Sequence, residues 1–232
     1  MASKIDRVIQ ELRRRILSGM LEPGARLVEL HYSAELEVSR TPLRIAFGEL
    51  EKEGLLERLP TRGFRVRTTH ADAVSDAIDV RGALEALAAE RAAELGVTDA
   101  LMQRLQACVQ EGRTVIDAAR AAGGQLEATR WMGMNARFHT LLVQASGNTV
   151  LAEALATVAK VPMAGAGALR LSGTLPVLEV PLLARAQQDH EDLLAALAAR
   201  EGTRAAALVR EHARRSRDNK RALLEASMDL AL

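Results

Sequence analysis

The sequence predicts a mostly α-helical protein of two domains, the first with a small β-hairpin and the second an antiparallel bundle of about six to seven helices. Hydrophobic residues make up 48% of the 232 residues but aromatic residues only 2%, so the core is expected to consist of Ala, Leu and Val, a helix-forming set. Apolar residues recur at spacings of three and four. Polar and apolar residues partly alternate between 55 and 67, which predicts the hairpin at the end of a first domain of residues 1–68; the second spans 72–228.

Three helices are predicted before the hairpin. The first spans Ile5 to Leu17, where apolar residues repeat along one face and three arginines lie near the C-terminal end. A second, short helix fits Leu30 to Leu36. The third begins after Ser39, a good N-cap residue, and ends at Gly54; Pro42 lies in its first turn, where a missing N–H costs little.

The hairpin is predicted to run from Leu55 to Arg67, with its turn at Pro60 to Gly63. Three helices followed by such a hairpin make a winged helix-turn-helix. Residues 1–67 hold 13 Lys or Arg against 10 Asp or Glu, a modest basic excess that permits DNA binding without requiring it.

Several ordered motifs of this first domain resemble the winged-helix domain of the GntR family of regulators. They are the run from Ile16 to Leu27 with its Pro-Gly, the string Val38 to Arg44, the triplet Glu53-Gly54-Leu55 and the triplet Arg62-Gly63-Phe64. The resemblance covers nearly all of residues 5 to 67 and departs from the family pattern at Tyr32-Ser33 and Ile45. It implies a transcriptional regulator that binds double-stranded DNA at a near-palindromic operator as a homodimer.

The resemblance implies DNA contacts from the third helix and from the wing. Arg40 and Arg44 are four residues apart on one face of a helix whose N-terminal end would enter the major groove, where arginine binds guanine bidentately. A solvated face paired with neighbouring glutamates is the alternative. The residues to which the resemblance assigns DNA contacts are Ser39, Arg40, Thr41, Arg44, Arg62 and Gly63.

The second domain reads as helix after helix and resembles the FCD ligand-sensing domain of the FadR subgroup over residues 72 to 225. The resemblance rests on Ile78 to Glu85, on Asn135 to His139, on Gly147-Asn148, and on His190 and His212. It implies a small-molecule effector whose binding is coupled to DNA affinity.

Three of the five histidines fall where metal-binding members of that family place theirs. The implied ligands are Asn135, His139, His190 and His212, which suit a borderline divalent ion such as Zn, Ni or Mn with open positions for water or effector. Asn135 stands where the family often has Asp. An amide oxygen is a weaker, uncharged ligand, which implies either weaker metal binding or a preference for an anionic effector, such as a small carboxylate. Histidines of an ordinary core are the alternative interpretation.

Two further residues are candidate effector contacts. Arg81 resembles the family's helix arginine and would pair an effector carboxylate, unless it simply pairs with Glu85 one turn on. Asn219 lies seven residues after His212 and is expected on the same helix face as a polar wall. Trp131, eight residues before His139, is expected to line the site as well.

Three other functions fit part of the sequence: a metal-dependent enzyme, a sensor without metal and an architectural DNA-binding protein. A metal-dependent hydrolase or lyase is conceivable from the histidines with Asp189 nearby, but Asp189 directly precedes His190 and is expected to project off its helix face, leaving no evident general base. A sensor without metal, binding a larger apolar ligand, stays open because of Asn135. An architectural DNA-binding protein leaves the large second domain unexplained. We therefore expect no enzyme.

Composition also indicates the compartment. No apolar run approaches the roughly 18 residues that cross a bilayer, and the N-terminus lacks the apolar core of a signal peptide, so we expect a cytoplasmic protein without a membrane partner. The single cysteine, Cys108, is interpreted as a packed thiol.

Overall fold

A computed structural model describes residues 4–17, 20–52, 54–60, 63–68, 71–124, 126–159, 161, 164–165 and 176–229. The chain divides into two compact units. One comprises residues 1–70 with 160–162, and the other comprises 71–159 with 163–232.

The first unit is built of three helices and a three-stranded antiparallel sheet among the described residues, in the order predicted for a winged helix-turn-helix. Its sheet has the order β1-β3-β2. We predicted a hairpin of two strands, and the structure adds β1, whose Leu27 pairs with Phe64 of β3. The elements are α1 (Lys4–Leu17), β1 (Arg26–Leu27), α2 (Glu29–Glu35), α3 (Arg40–Lys52), β2 (Leu56–Arg58) and β3 (Phe64–Val66).

An aromatic cluster fixes the position of α3 in this unit. The ring of Phe47 lies 6.5 Å from that of Tyr32 on α2 and 5.3 Å from that of Phe64 on β3. Phe47 is fully buried, and α1 contributes Leu12, also fully buried, to the same core. Since such burial contributes about 25 cal/mol per Å² of apolar area, these contacts hold the exposed face of α3 on a rigid support.

Six helices form the second unit within the described part of the chain, in agreement with the predicted six to seven. Their core is mostly Ala and Leu, as the composition indicated. The helices are α4 (Ala71–Leu95), α5 (Asp99–Ala121), α6 (Ala128–Ala145), α7 (Thr149–Val158), α8 (Pro176–Ala198) and α9 (Gly202–Asp229). None of the described helices is long and apolar enough to cross a membrane.

Close contact between α4 and α9 brings the functional side chains of this unit together. A β-carbon at Gly82 of α4 would collide with the β-carbon of Ala213 of α9, so only glycine lets the two helices approach this closely. Glu85 lies one turn after Gly82, and His212 directly precedes Ala213. The glycine therefore sets the separation between the carboxylate of α4 and the histidine of α9.

Candidate functional site

Three histidines from three helices meet inside the helical unit. His139 comes from α6, His190 from α8 and His212 from α9. Their ring centres form a triangle with sides of 5.0, 5.4 and 5.5 Å. One nitrogen from each ring lies within 4.8 Å of the nitrogens from the other two. The structure thus brings together three of the four predicted ligands.

The nitrogens of these rings fit a divalent ion by position and by lack of other partners. Three buried ring nitrogens have no hydrogen-bond or ion-pair partner among the described residues. They are Nδ1 and Nε2 of His190 and Nε2 of His139. Buried polar atoms without partners are costly and rare. The centre of a triangle with 4.8 Å sides lies about 2.8 Å from its corners, so a small inward shift reaches the roughly 2.0–2.1 Å of a zinc–nitrogen bond. The donor set therefore fits the metal that the sequence implied.

Two buried carboxylates contact the histidines, each at an Nδ1 atom. Glu85 Oε2 is 3.1 Å from His139 Nδ1, within ion-pair reach although not aligned for a hydrogen bond. Asp189 Oδ2 is 3.1 Å from His212 Nδ1, close enough to accept its proton. Carboxylates in this position fix the tautomer of metal-binding histidines and make them stronger ligands.

The structure gives Asp189 a partner that we did not predict from the sequence. We expected it to project off the helix face of His190, and it is buried there, only 2% exposed, in contact with His212 of α9. It also accepts a hydrogen bond of 2.7 Å from Nη2 of Arg215. Residues adjacent on a helix point about 100° apart, so Asp189 turns towards α9 while His190 turns towards α6.

The electrostatics of the site favour the neutral form of His190 and His212 and the charged form of the two carboxylates. Burial lowers the pKa of His190 well below its usual value, and burial also lowers that of His212 despite the hydrogen bond to Asp189. Burial would raise the pKa of Glu85, but His139 and Arg81 outweigh it and lower the pKa to about 2. Hydrogen bonds from His212 and Arg215 likewise outweigh burial and lower the pKa of Asp189. Neutral imidazole is the form that binds metal.

Two buried cations lie beside Glu85. Arg81 Nε is 3.6 Å from Glu85 Oε2, and its Nη1 donates to the carbonyl oxygen of Ala164. The ammonium group of Lys220 donates to the next carbonyl, that of Gly165, at 3.3 Å. Burial, with repulsion from Arg81, lowers the pKa of Lys220 to about 7, although Glu85 acts in the opposite direction. The pairing of Arg81 with Glu85 that we weighed is therefore present, and it places Arg81 next to the histidines.

An aromatic wall completes the surroundings of His190. The ring of Phe138 stacks on it at 4.4 Å, and Trp131 lies nearly parallel to it with the ring centres 6.1 Å apart. The prediction that Trp131 lines the site is confirmed. Asn135 is buried on α6 one turn before His139, whereas Asn219 is only half-buried.

The predicted DNA-contact residues that the structure describes are exposed or lie at the wing turn. Ser39, Arg40, Thr41 and Arg44 are all exposed around the N-terminal half of α3. Gly63 has a φ of +97°, a left-handed conformation that favours glycine, and its carbonyl oxygen accepts a hydrogen bond from the wing. Arg62 lies outside the described residues.

Sequence reasoning missed three residues of the helical site: Asp189 as a partner of His212, Glu85 as a partner of His139, and Lys220. The spacing did contain a signal for Lys220, because it follows His212 by eight residues and so returns to nearly the same helix face. Lysine is almost never fully buried unless it is paired, so a lysine at a position predicted to be buried indicates a specific partner.

Comparison with known proteins identifies both units. Residues 4–66 match "Bacterial regulatory proteins, gntR family", and residues 76–215 match the FCD domain. The uncharacterized HTH-type transcriptional regulator YdhC of Bacillus subtilis (strain 168) is 31% identical over 138 residues, which make up 60% of this chain and 58% of that protein. The HTH-type transcriptional repressor RspR of Escherichia coli (strain K12) is 30% identical over 133 residues, 57% of this chain and 55% of RspR. These alignments span less than two thirds of the relatives' own length.

A solved structure extends the similarity in fold over nearly the whole chain. The structure titled "E. coli McbR/YncC" superposes with a TM-score of 0.69 and 23% identity, covering 98% of this chain and 100% of that chain. The matched families and relatives are transcriptional regulators rather than enzymes, in agreement with the expectation from sequence. The chain belongs to the GntR family of bacterial regulatory proteins and carries an FCD domain in its helical unit.

Proposed function

We propose that this protein is a sequence-specific DNA-binding transcriptional regulator whose operator affinity is controlled by a small carboxylate metabolite bound at a divalent metal site. The observation that carries the proposal is the convergence of three buried histidines, two of them backed by carboxylates, with ring nitrogens that have no other partner among the described residues. Nothing in the packing of an ordinary core calls for this arrangement.

The metal ligands in this proposal are His139, His190 and His212, with Asn135 as a fourth, oxygen ligand. When bound, a divalent ion such as Zn, Ni or Mn supplies a Lewis-acidic centre for an anionic oxygen. All four ligands are neutral, so they leave the ion's charge uncompensated and favour an anionic partner.

The remaining residues of the site position these ligands and the effector. Glu85 and Asp189 hold the rings of His139 and His212 so that their Nε2 atoms face the centre. Arg81 provides a guanidinium for an effector carboxylate, since its planar fork pairs with carboxylates through charge-assisted hydrogen bonds. Asn219, half-buried on α9, stays a proposed polar contact for the effector.

DNA recognition is assigned to the exposed face of α3 and to the wing. Arg40 and Arg44 would contact base edges, and Ser39 and Thr41 would bind phosphates near the positive end of the helix. The wing, with Gly63 at its turn and Arg62 beside it, would contact the backbone or minor groove. A homodimer would present two such faces to a near-palindromic operator.

Control of DNA binding follows from linkage. An effector that prefers one arrangement of the helical unit shifts the population towards it, and DNA that prefers one arrangement shifts effector affinity by the same factor. The relatives include a transcriptional repressor, RspR, which supports the regulation of transcription as the role of this protein.

The other functions that we weighed have less support. For an enzyme, the nearby carboxylates Glu85 and Asp189 are already engaged with histidine and arginine and are poor candidates for a general base. For a larger apolar ligand, the buried charges of Arg81 and Glu85 beside the histidines are unfavourable surroundings.

The first test is metal content. We would measure bound metal by mass spectrometry on untagged protein purified without chelator, beside His139→Ala and His190→Ala variants and a His31→Ala control, whose side chain is 68% exposed. We expect about one divalent ion per chain in the native protein and the control and its loss in both site variants. A native protein that binds no Zn, Ni or Mn after reconstitution refutes the metal site.

A further inference from the structure

We infer that the effector carries two acidic groups, one at the metal site and a second held between Arg81 and Lys220. This inference rests on the proposed function and adds the chemical class of the ligand, a short dicarboxylate. It depends on a pair of buried cations, Arg81 and Lys220, of which only Arg81 has a role in the proposed function.

The first step is the position of the two cations. Arg81 projects from α4 and Lys220 from α9, and their side chains are 4% and 2% exposed. Arg81 Nη1 donates to the carbonyl oxygen of Ala164 and Lys220 Nζ to that of Gly165. Two cations from different helices thus converge on adjacent carbonyl oxygens. A carboxylate accepts hydrogen bonds from cations more strongly than neutral carbonyls do, so an acidic group of the effector can compete for these two donors.

The second step is that this cation pair is separate from the metal centre. Oε2 of Glu85 lies 3.1 Å from Nδ1 of His139 and 3.6 Å from Nε of Arg81. The carboxylate of Glu85 thus contacts both the imidazole of His139 and the guanidinium of Arg81. We therefore assign separate acidic groups of the effector to the two places, one to the histidines and one to Arg81 and Lys220, with Glu85 between them.

The third step is charge. Arg81 and Glu85 act on Lys220 in opposite directions, and its pKa is lowered to about 7 because burial and Arg81 together outweigh the carboxylate. Glu85 also contacts His139, so its negative charge does not act on Lys220 alone. An acidic group placed between Arg81 and Lys220 relieves their repulsion and favours the protonated amine. At the other end of the effector, the neutral ligands of the metal centre favour another negative charge.

The test compares matched acids on the zinc-loaded full chain. Malate and 2-hydroxybutyrate share one 2-hydroxycarboxylate end and differ in a distal carboxylate or methyl group; 2-hydroxyglutarate and 2-hydroxypentanoate form the same pair one carbon longer. Dissociation constants are measured by calorimetry, with Trp131 fluorescence as a second readout. Variants are Lys220→Met, which removes the charge at nearly constant volume, Lys220→Arg, which keeps it, and the control Arg214→Met, an arginine of the same helix that is 66% exposed.

We expect at least one diacid to bind about tenfold or more tightly than its matched monoacid, the size of a buried charge-assisted hydrogen bond. Lys220→Met is expected to reduce this preference below about threefold. Lys220→Arg and Arg214→Met are expected to keep the preference. Monoacids and diacids that bind equally, with binding that still requires His139 and His190, overturn the second acidic group but leave the proposed function standing. If neither acid binds the zinc-loaded chain, both proposals fail.

Discussion

Nε of Arg44 on α3 lies 2.8 and 2.9 Å from the two carboxylate oxygens of Glu29 on α2. The arginine side chain is 60% exposed, whereas that of Glu29 is 25% exposed. The carboxylate therefore restrains an arginine whose guanidinium still reaches solvent. In the proposed DNA complex this restraint orients Arg44 before DNA arrives, which reduces the conformational entropy lost on binding.

Replacing Arg44 by alanine is expected to weaken operator binding by about tenfold to a hundredfold, because a bidentate contact to guanine is lost. The salt dependence of the affinity should fall as well, since one cation near the phosphates is gone. Fluorescence anisotropy with labelled operator DNA at several salt concentrations measures both. The control is Arg204→Ala, an exposed arginine of the helical unit. Unchanged affinity and salt dependence would remove Arg44 from the interface.

Glu29→Gln is expected to act on specificity rather than on stability. The amide keeps one hydrogen bond to Arg44 but removes a negative charge that would face DNA, so affinity for scrambled DNA should rise. The restraint on Arg44 weakens, so the ratio of operator to scrambled affinity should fall about threefold to tenfold. Parallel titrations with the two DNAs give this ratio. An unchanged ratio would show that Glu29 does not orient Arg44.

Asp189→Asn is expected to lower metal affinity by about tenfold to a hundredfold, because His212 loses the carboxylate that fixes its tautomer. Competition with a chromophoric zinc chelator measures the change. Asp192→Asn on the same helix serves as the control, since Asp192 accepts a hydrogen bond from the exposed Gln188. Equal affinity in the Asp189 variant and the native protein would contradict a supporting role.

Acid should destabilise the metal-free protein through its histidines. The folded pKa of His190 is well below 6.5, so below about pH 6.5 the unfolded chain takes up a proton that the folded chain does not. Stability is therefore complete above that pH and falls as the pH drops, with a slope approaching 1.4 kcal/mol per pH unit for each such histidine. Urea unfolding at pH 7.5, 6.5 and 5.5 measures the slope, which should be shallower in His190→Gln. Equal slopes would mean that His190 is not buried in its neutral form.

Lys220→Met is expected to raise the free energy of unfolding at pH 8 by about 1 to 3 kcal/mol, because the native protein must keep a buried amine largely neutral. Its folded pKa of about 7 lies below the ordinary 10.5, so this cost is full at and below about pH 7 and disappears as the pH rises through 10.5. Urea unfolding across this range tests the trend, with the exposed Lys52→Met as control. A destabilised Lys220→Met protein at pH 8 would show that Lys220 is a structural residue.

The sequence allowed the helices to be predicted because their periodicity is local. The apolar residues of α1 and the N-cap position before α3 are visible within a few residues of one another. The short β1 was not predicted, since two residues form a strand only by pairing with Phe64 and Arg65 nearly forty positions later. No local pattern distinguishes Arg26–Leu27 from a loop.

The candidate site was predictable as far as residue identity could be carried over from a family pattern. His139, His190 and His212 were placed together in this way, and the structure groups them. Asp189 and Lys220 were not, because their roles depend on how α8 and α9 face each other and on where residues 164 and 165 lie. Interhelical facing of this kind is set by packing, as at Gly82, and a single sequence does not contain it.

One consequence of α4 concerns how far a small rearrangement reaches. The helix is continuous from Ala71, the first residue after the winged unit, to Leu95, and it carries both Arg81 and Glu85. At 1.5 Å per residue, Ala71 is about 21 Å along the axis from Glu85. A change of about five degrees in the direction of this rod, pivoting at Glu85, displaces its first residue by about 2 Å. A tilt of α4 that hardly moves Glu85 is therefore larger at Ala71, where the chain leaves the winged unit.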